Sequence, residues 1–306
     1  MEAMSNQPLL VILINPTSGP TRTRSLTPAV IQGRAEQAGW QVEIETSTGP
    51  GDLSERARKA GERGARRVIV MGGDGSINEV VQAIVDPPVE LGILPAGTVN
   101  ILANELGIPS DLDEALHVAL TGRAIAIDVG VANGRLFTLM VGIGYDAMIT
   151  RSMWPEIKKI AGEVAYALAG LQSFLVHRTT RMRIRLDGAR PVRRLVYLLV
   201  VANTRLYAGS SAVLAETASV KDGLFDVCWF SAREWWRVPV GIFRIFSGRG
   251  KRFAPFEVVK ARNIRIEASR SVPYQLDGDS AGFLPVSIQI RPKALRVVVP
   301  AQPPEV

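Results

Sequence analysis

The stretch from Val68 to Ala103 constrains the fold of this chain more than any other part of it. It begins with VIVM, an apolar run rich in β-branched residues and short enough for a buried parallel strand. The run breaks at Gly72-Gly73-Asp74-Gly75, and Ile77, Val80, Val81 and Ile84 then recur on one face at helical spacing. The pattern is strand, glycine turn, helix. A second copy follows, with a strand from Leu91 to Leu94, the turn Pro95-Ala96-Gly97-Thr98 and a helix from about Val99. Glycine lets a ligand approach the backbone with no Cβ in the way. The helix start behind each turn offers unpaired N–H groups and a partial positive charge, which suit a phosphate. Two such turns on adjacent strands face one crevice, where open α/β sheets bind ligands. A GGDG run alone is also an ordinary tight turn, and the second turn is what points to a ligand.

The chain around this stretch alternates strands and helices, which implies a doubly wound sheet. Leu9 to Ile14 reads as the first strand, followed by the small-residue loop Asn15-Pro16-Thr17-Ser18-Gly19. A helix at about Ser25 to Ala38, a strand from Gln41 to Thr46 and a helix from Leu53 to Arg63 lead to the glycine turns. A short helix from Asp111 to Leu120 ends the series. Beyond it the chain reads mostly as strands, at Ala124 to Val131, Leu136 to Val141, Arg181 to Leu186 and Arg194 to Ala202, with Asn133-Gly134 as a hairpin turn. One helix, Lys158 to Val176, interrupts them. The expected division is an α/β domain over 1–130 and an antiparallel β-rich domain over 131–294. A last strand and a disordered tail occupy 295–306.

A length of 306 residues fits two domains. The 36 Lys and Arg exceed the 29 Asp and Glu by 7, so an acidic partner is expected: nucleotide, nucleic acid or anionic membrane. No helix-turn-helix, zinc or aromatic RNA-binding pattern is present, which argues against nucleic acid. The single cysteine, Cys228, excludes an intrachain disulfide, fits a reducing compartment and reads as a small packed hydrophobe. His117 and His177 lie far apart and without the Cys or carboxylate spacing of a zinc site. No run is long and apolar enough to span a bilayer. The segment Trp229 to Phe253 interleaves aromatic residues with arginines, at Trp235, Val238, Ile242 and Ile245 with helical spacing. It reads equally as a helix at a headgroup interface or as a core helix.

The run GGDGSINEVV, followed by LPAGTVNILANELGIP, resembles the catalytic domain of the diacylglycerol kinase and sphingosine kinase superfamily, its bacterial lipid kinases above all. Ser76 stands where that family usually has Thr, and Ile101 where Asp is common. The resemblance implies an α/β nucleotide-binding domain, a C-terminal β-sandwich and a last strand, Leu295 to Val299, that returns to the first domain. It implies nucleotide contacts at Asn15, Pro16, Thr17, Ser18, Gly19, Thr46, Gly72, Gly73, Asp74, Gly75, Ser76, Asn78, Glu79, Gly97, Thr98 and Asn100. Gly142 to Ala147 resembles a further family segment. Downstream, ASVKDGLFDV resembles the family's metal segment. It implies Mg²⁺ held by Asp222 and the carbonyls of Ser219 and Leu224, with Asp74 and Asp128 reaching it through water. Glu216 replaces a usual proline there, and Lys221 a common acid. QLDGD resembles the segment of the catalytic base, with Asp279 in place of Glu, and makes Asp277 the first choice and Asp279 its neighbour. Each Asp-Gly pair is also a hairpin turn in its own right.

The resemblance thus implies an ATP-dependent, Mg²⁺-dependent lipid kinase with a membrane lipid as substrate. It would be a cytoplasmic protein, peripheral at the inner membrane face, with no inferred protein partner and homodimerisation left open. The chemistry is consistent: a spread-out phosphoryl anion needs positioning and charge neutralisation, and a lipid hydroxyl needs a carboxylate to take its proton. The alternatives are an NAD-kinase-like enzyme and an inactive lipid- or nucleotide-binding homologue.

Overall fold

The structure, a computed structural model, describes residues 7–18, 26–85, 88–144, 179–208, 212–231 and 257–301. In chain order the first elements are β1 (Leu9–Ile14), α1 (Pro28–Gln37), β2 (Gln41–Thr46), α2 (Asp52–Glu62), β3 (Arg67–Gly72), α3 (Asp74–Ile84), β4 (Glu90–Pro95), α4 (Ile101–Glu105), α5 (Leu112–Thr121) and β5 (Arg123–Ala132). Strands follow: β6 (Arg135–Phe137), β7 (Met140–Gly144), β8 (Thr180–Leu186), β9 (Val192–Ala202), β10 (Leu206–Ala208), β11 (Ala212–Val213) and β12 (Phe225–Ser231). The last are β13 (Glu257–Ala261), β14 (Asn263–Ala268), β15 (Pro273–Leu276), β16 (Asp279–Phe283) and β17 (Val286–Val299). Two compact units result, Met1–Asp128 with Pro292–Val306, and Val129–Arg291.

The first unit is a parallel sheet in the order β2-β1-β3-β4-β17. β3 and β4 are buried along their whole length, which is why their sequences run apolar without alternation. The winding direction reverses between β1 and β3, the point where such sheets bind ligands. Local chemistry sets the helix starts. The Thr27 hydroxyl accepts from Val30 N and Pro28 opens α1, so that helix begins later than its apolar pattern suggests. α2 has Gly51 at its N-cap and no cap side chain of its own, and the Glu79 carboxylate of α3 accepts from Leu53 N at 2.8 Å instead. At the other end of β3 the buried Arg67 pairs with Glu90 at 2.6 Å, donates to the carbonyls of Ala119 and Leu120, and lies over the Trp40 ring. A guanidinium taken out of water needs such a full set of partners.

The second unit is antiparallel along the path β16-β15-β7-β9-β8-β14-β17. β9 pairs with β8 over Val192 to Val196 and with β7 over Leu198 to Ala202, and β12 joins it as well. Inward residues such as Ile143, Leu199, Val227, Ile264 and Val286 form one core, with Phe137 stacked on Phe225 at 5.5 Å. Burying a side chain of this size contributes about 1.5–3 kcal/mol. Asn133-Gly134, Asp187-Gly188 and Asp277-Gly278 all have positive φ at both positions, as two-residue hairpins of the primed type require. The single strand expected over Leu136 to Val141 is broken into β6 and β7. The break falls at Thr138 and Leu139, whose N–H groups turn to the Asp277 side chain. The expected helix from Lys158 to Val176 lies outside the described residues. Among the described residues no helix is long and apolar enough to cross a membrane.

Candidate functional site

In the first unit the two glycine turns lie against each other. A Cβ on Gly97 would come within 2.5 Å of the Gly73 Cα, and one on Gly73 within 3.2 Å of the Gly97 Cα. A Cβ on Gly72 would strike the Ser76 side chain at 2.5 Å. Gly73 and Gly97 are therefore demanded by close backbone packing inside the unit, and Gly72 by the side chain of Ser76. Gly75 differs: it is exposed, and a Cβ there meets nothing within 4 Å. α3 follows Gly73, an N-cap residue that brings no capping side chain of its own. Asn15, at the end of β1, donates to the Ser76 hydroxyl at 2.8 Å and accepts from Thr17 N and Thr17 Oγ1. This ties the loop after β1 to the turn after β3, across the winding reversal.

Other residues of the two motifs hold this backbone in place. Asp74 accepts from Ile101 N at 3.1 Å and Leu102 N at 3.3 Å, and so caps α4. Asn100, buried and in the left-handed region, accepts from Gly97 N and donates to the carbonyls of Pro95 and Gly97. Asn78 is buried and takes a hydrogen bond from Gln82. Pro16, Thr17, Thr46, Gly75 and Thr98 are the exposed members of the set, and Ser18 is half-buried. Gly19 lies outside the described residues.

In the second unit Asp277 and Asp279 stand in different surroundings. Asp277 is the first turn residue between β15 and β16, and its carboxylate takes four donors. Thr138 N and Thr138 Oγ1 reach Oδ2 at 2.8 and 3.1 Å, and Leu139 N and Met140 N reach Oδ1 at 2.9 and 3.0 Å. A carboxylate has about four acceptor positions, so little remains for a substrate proton. Asp279 opens β16 with its side chain 61% exposed, and Arg135 approaches it at 3.6 Å. Its carboxylate is the accessible one. Gln275, beside them, accepts from Gly278 N at 2.6 Å and closes the turn.

The turn at Asp222 is also in the second unit. Asp222 Oδ1 accepts from Leu224 N, and Ser219 Oγ accepts from Lys221 N. Lys260, paired across strands with Asp226, donates to Asp222 Oδ2 at 2.9 Å, to the Thr217 carbonyl at 2.8 Å, and meets Asp226 Oδ1 at 2.8 Å. Partial burial opposes its charge, but the hydrogen bonds it donates to Asp226 and Asp222 outweigh that and raise the Lys260 pKa. The donor set at Asp222 is oxygen only and reaches the surface, which fits a hard divalent cation. Lys260 competes for the same carboxylate. Among the described residues no group of three or more His, Cys, Asp or Glu forms a stronger metal cluster. Asp128, expected to reach a metal through water, is fully buried and accepts from Lys293 N at 2.8 Å. That burial leaves it no solvent face for a water-bridged ion.

Three residues important here carried no motif signal. Lys260 is an isolated lysine in a strand, Thr138 a residue in an apolar run, and Arg67 the first residue of β3. Only their strand positions reveal them. Of the aromatic segment, Trp229 and Phe230 are buried in β12 as core, and residues 232–253 lie outside the described residues. Cys228 is buried beside them, and burial pushes its thiol up to about 12.

A parallel sheet whose two glycine turns pack against each other is followed by an antiparallel unit with carboxylates at its turns, the organisation expected of a two-unit phosphotransferase. Residues 9–132 match the diacylglycerol kinase catalytic domain, and residues 139–299 match the YegS C-terminal NAD kinase beta sandwich-like domain. The chain is 30% identical over 302 residues to the diacylglycerol kinase of Bacillus subtilis (strain 168), covering 96% of this chain and 97% of that one. It is 26% identical over 293 residues to the diacylglycerol kinase of Staphylococcus carnosus (strain TM300), covering 94% of each. A crystal structure of a diacylglycerol kinase from Bacillus anthracis str. Sterne superposes with a TM-score of 0.78 at 19% identity, over 96% of this chain and 98% of that one. Yeast NADH kinase complexed with NADH shares the fold more distantly, with a TM-score of 0.53 at 13% identity over 96% of this chain and 84% of that one. The chain belongs to the diacylglycerol kinase family of lipid kinases and is a kinase.

Proposed function

We propose that the chain transfers the γ-phosphoryl group of ATP to the hydroxyl of a lipid, diacylglycerol or a close relative. The observation that carries this reading is the contact of two glycine turns, the first of them opening α3, at the sheet's winding reversal. A helix start suits the phosphates of ATP, with Thr17, Gly75 and Thr98 at the accessible surface. In the transfer, a bond forms between the lipid oxygen and the γ-phosphorus. The bond from that phosphorus to the bridging oxygen breaks, and ADP leaves. The hydroxyl proton passes to a carboxylate. Asp279 takes that proton, and Asp277 positions it by anchoring the hairpin to residues 138–140. Asp222 with the carbonyls of Ser219 and Leu224 would hold Mg²⁺, which supplies positive charge against the phosphate-rich site. Because the acceptor is a membrane lipid, the enzyme works at the inner membrane face from the cytoplasm.

The test is transfer of label from γ-labelled ATP into a panel of lipids in detergent micelles, with NAD as control acceptor. Label in diacylglycerol or a related lipid and none in NAD is expected. Label in NAD alone would overturn the reading.

A further inference from the structure

One sheet face of the second unit carries charges that its own fold opposes. β8 pairs with β9 and β14 in a register that sets Arg183 directly opposite Arg193, and Arg185 directly opposite Arg265. Arg181 lies opposite Leu195 in the same rows. Strand residues two apart share a face, and the buried alternates Met182 and Ile184 on β8 and Ile264 and Ile266 on β14 fix which face is inward. The outward face therefore bears Arg181, Arg183, Arg185, Arg193 and Arg265, against one carboxylate, Glu267. Glu267 is shared, at 2.8 Å from Arg265 and 3.9 Å from Arg183. Arg181 and Arg193 make no ion pair among the described residues. Directly opposed like charges weaken a strand pair. Alternating signs along these rows would relieve that repulsion.

Two further observations say what this face suits. Arg181, Arg183, Arg193, Glu267, Ala268 and Ser269 line an open hollow of about 270 Å³. Leu195, in the arginine rows, keeps 48% of its surface exposed. A guanidinium binds phosphate oxygens in a planar fork, and an exposed leucine beside it favours an acyl boundary. Neighbouring strands are about 4.8 Å apart, so the outward side chains of three strands present their guanidinium groups within one open surface. No aromatic residue stands among these outward positions, so the stacking surface that single-stranded nucleic acids use is missing.

We infer that the β8–β9–β14 face is a docking surface for a bilayer rich in anionic phospholipid. The inference rests on the lipid-kinase reading for its occupant. On this account the like-charge pairs are tolerated because lipid phosphates neutralise them when the protein is docked.

The experiment is sedimentation with vesicles of phosphatidylcholine alone or mixed with phosphatidylglycerol, across a salt series. It compares the wild type with the triple variant Arg181→Glu, Arg185→Glu, Arg193→Glu. These changes turn two like-charge cross-strand pairs into opposite-charge pairs, so the variant should melt no lower than the wild type. The wild type should bind anionic vesicles only, more weakly as salt rises. At about fivefold per basic residue lost, the triple variant should bind at least about 100-fold more weakly. Phosphorylation of a micelle-dissolved lipid should be unchanged in the variant. Wild-type binding that ignores lipid charge, no wild-type binding to any vesicle, or full binding by the triple variant would each overturn the inference. So would retention by a DNA duplex at salt where vesicles are not bound. Vesicle binding with no phosphorylated lipid would leave the docking face standing and remove the lipid-kinase reading alone.

Discussion

In the first unit the exposed part of the candidate site is uncharged: Gly75, open to solvent, with Thr17 and Thr98. In the second unit it is charged: the carboxylates of Asp279 and Asp222, offered from turns of an antiparallel sheet. The contrast follows from the sheets. Parallel strands end all together at one edge, where helix starts supply donors without charged side chains. An antiparallel hairpin has no helix start, so charge must come from residues at its tip. Both units spend motif side chains on the same secondary task, holding the backbone. Asp74, Asn100 and Glu79 do so in the first, and Asp277 in the second.

The comparison breaks most readily at the glycines. Gly97→Ala pushes a Cβ to 2.5 Å from backbone that cannot yield. A loss of about 1–3 kcal/mol in folding stability is expected from such overpacking, read by urea unfolding, whether or not ATP is present. Gly75→Ala should do the reverse. It meets no protein atom, so stability should hold, while ATP affinity falls at least about tenfold, the equivalent of one charge-assisted hydrogen bond. Calorimetric titration with ATP reads it, and unchanged affinity would take the phosphates away from this turn.

A smaller effect sharpens the second unit. Lys260 has a raised pKa in the folded chain. Its stabilisation is therefore complete below the unfolded lysine value, about 10.4, and is lost as pH climbs through the higher folded value. The wild type should melt above Lys260→Met by a few degrees at pH 8, a shift of the size about 1 kcal/mol produces, and the gap should close in strongly alkaline buffer. In the same variant Asp222 loses its competitor, so Mn²⁺ affinity in the absence of nucleotide should rise. The smallest effect is at Cys228, whose thiol is pushed up to about 12 and buried. Ellman's reagent at pH 8 should leave it untouched in the native protein and label it once unfolded.

Much of this architecture was legible in the sequence, for stated reasons. Uninterrupted apolar runs at β1, β3 and β4 reported strands covered on both sides, and Asn133-Gly134 reported a hairpin. The motif residues were legible as a set but not by job. GGDG and PAGT look like ligand loops, yet Gly73 and Gly97 are required because two turns pack backbone to backbone, a fact about tertiary distance. Asp277 and Asp279 share one short string, and only the chain at 138–140, far away in sequence, distinguishes the anchored acid from the open one. The arginine face was visible as alternation in β8, but the opposed pairs depend on register with β9 and β14, which no local pattern contains. Trp229 and Phe230, read beside arginines as a membrane edge or core, fall in the core because β12 pairs with β9 and β13.

The central claim is the division of labour between the two acids of one hairpin, and paired turnover and melting measurements on Asp279→Asn and Asp277→Asn test it most directly. Removing the proton acceptor costs about 10²–10⁴-fold in turnover. Asp279→Asn should show that loss with its melting temperature unchanged. Asp277→Asn replaces an acceptor of four hydrogen bonds by a side chain with one acceptor oxygen and a donor group. It should melt lower, by the equivalent of about 1–3 kcal/mol for donors left unsatisfied, and its turnover should fall in step with the loosened hairpin. The contrary result is an Asp279→Asn enzyme with near-wild-type turnover beside an Asp277→Asn enzyme that melts normally and is inactive, which would make Asp277 the proton acceptor.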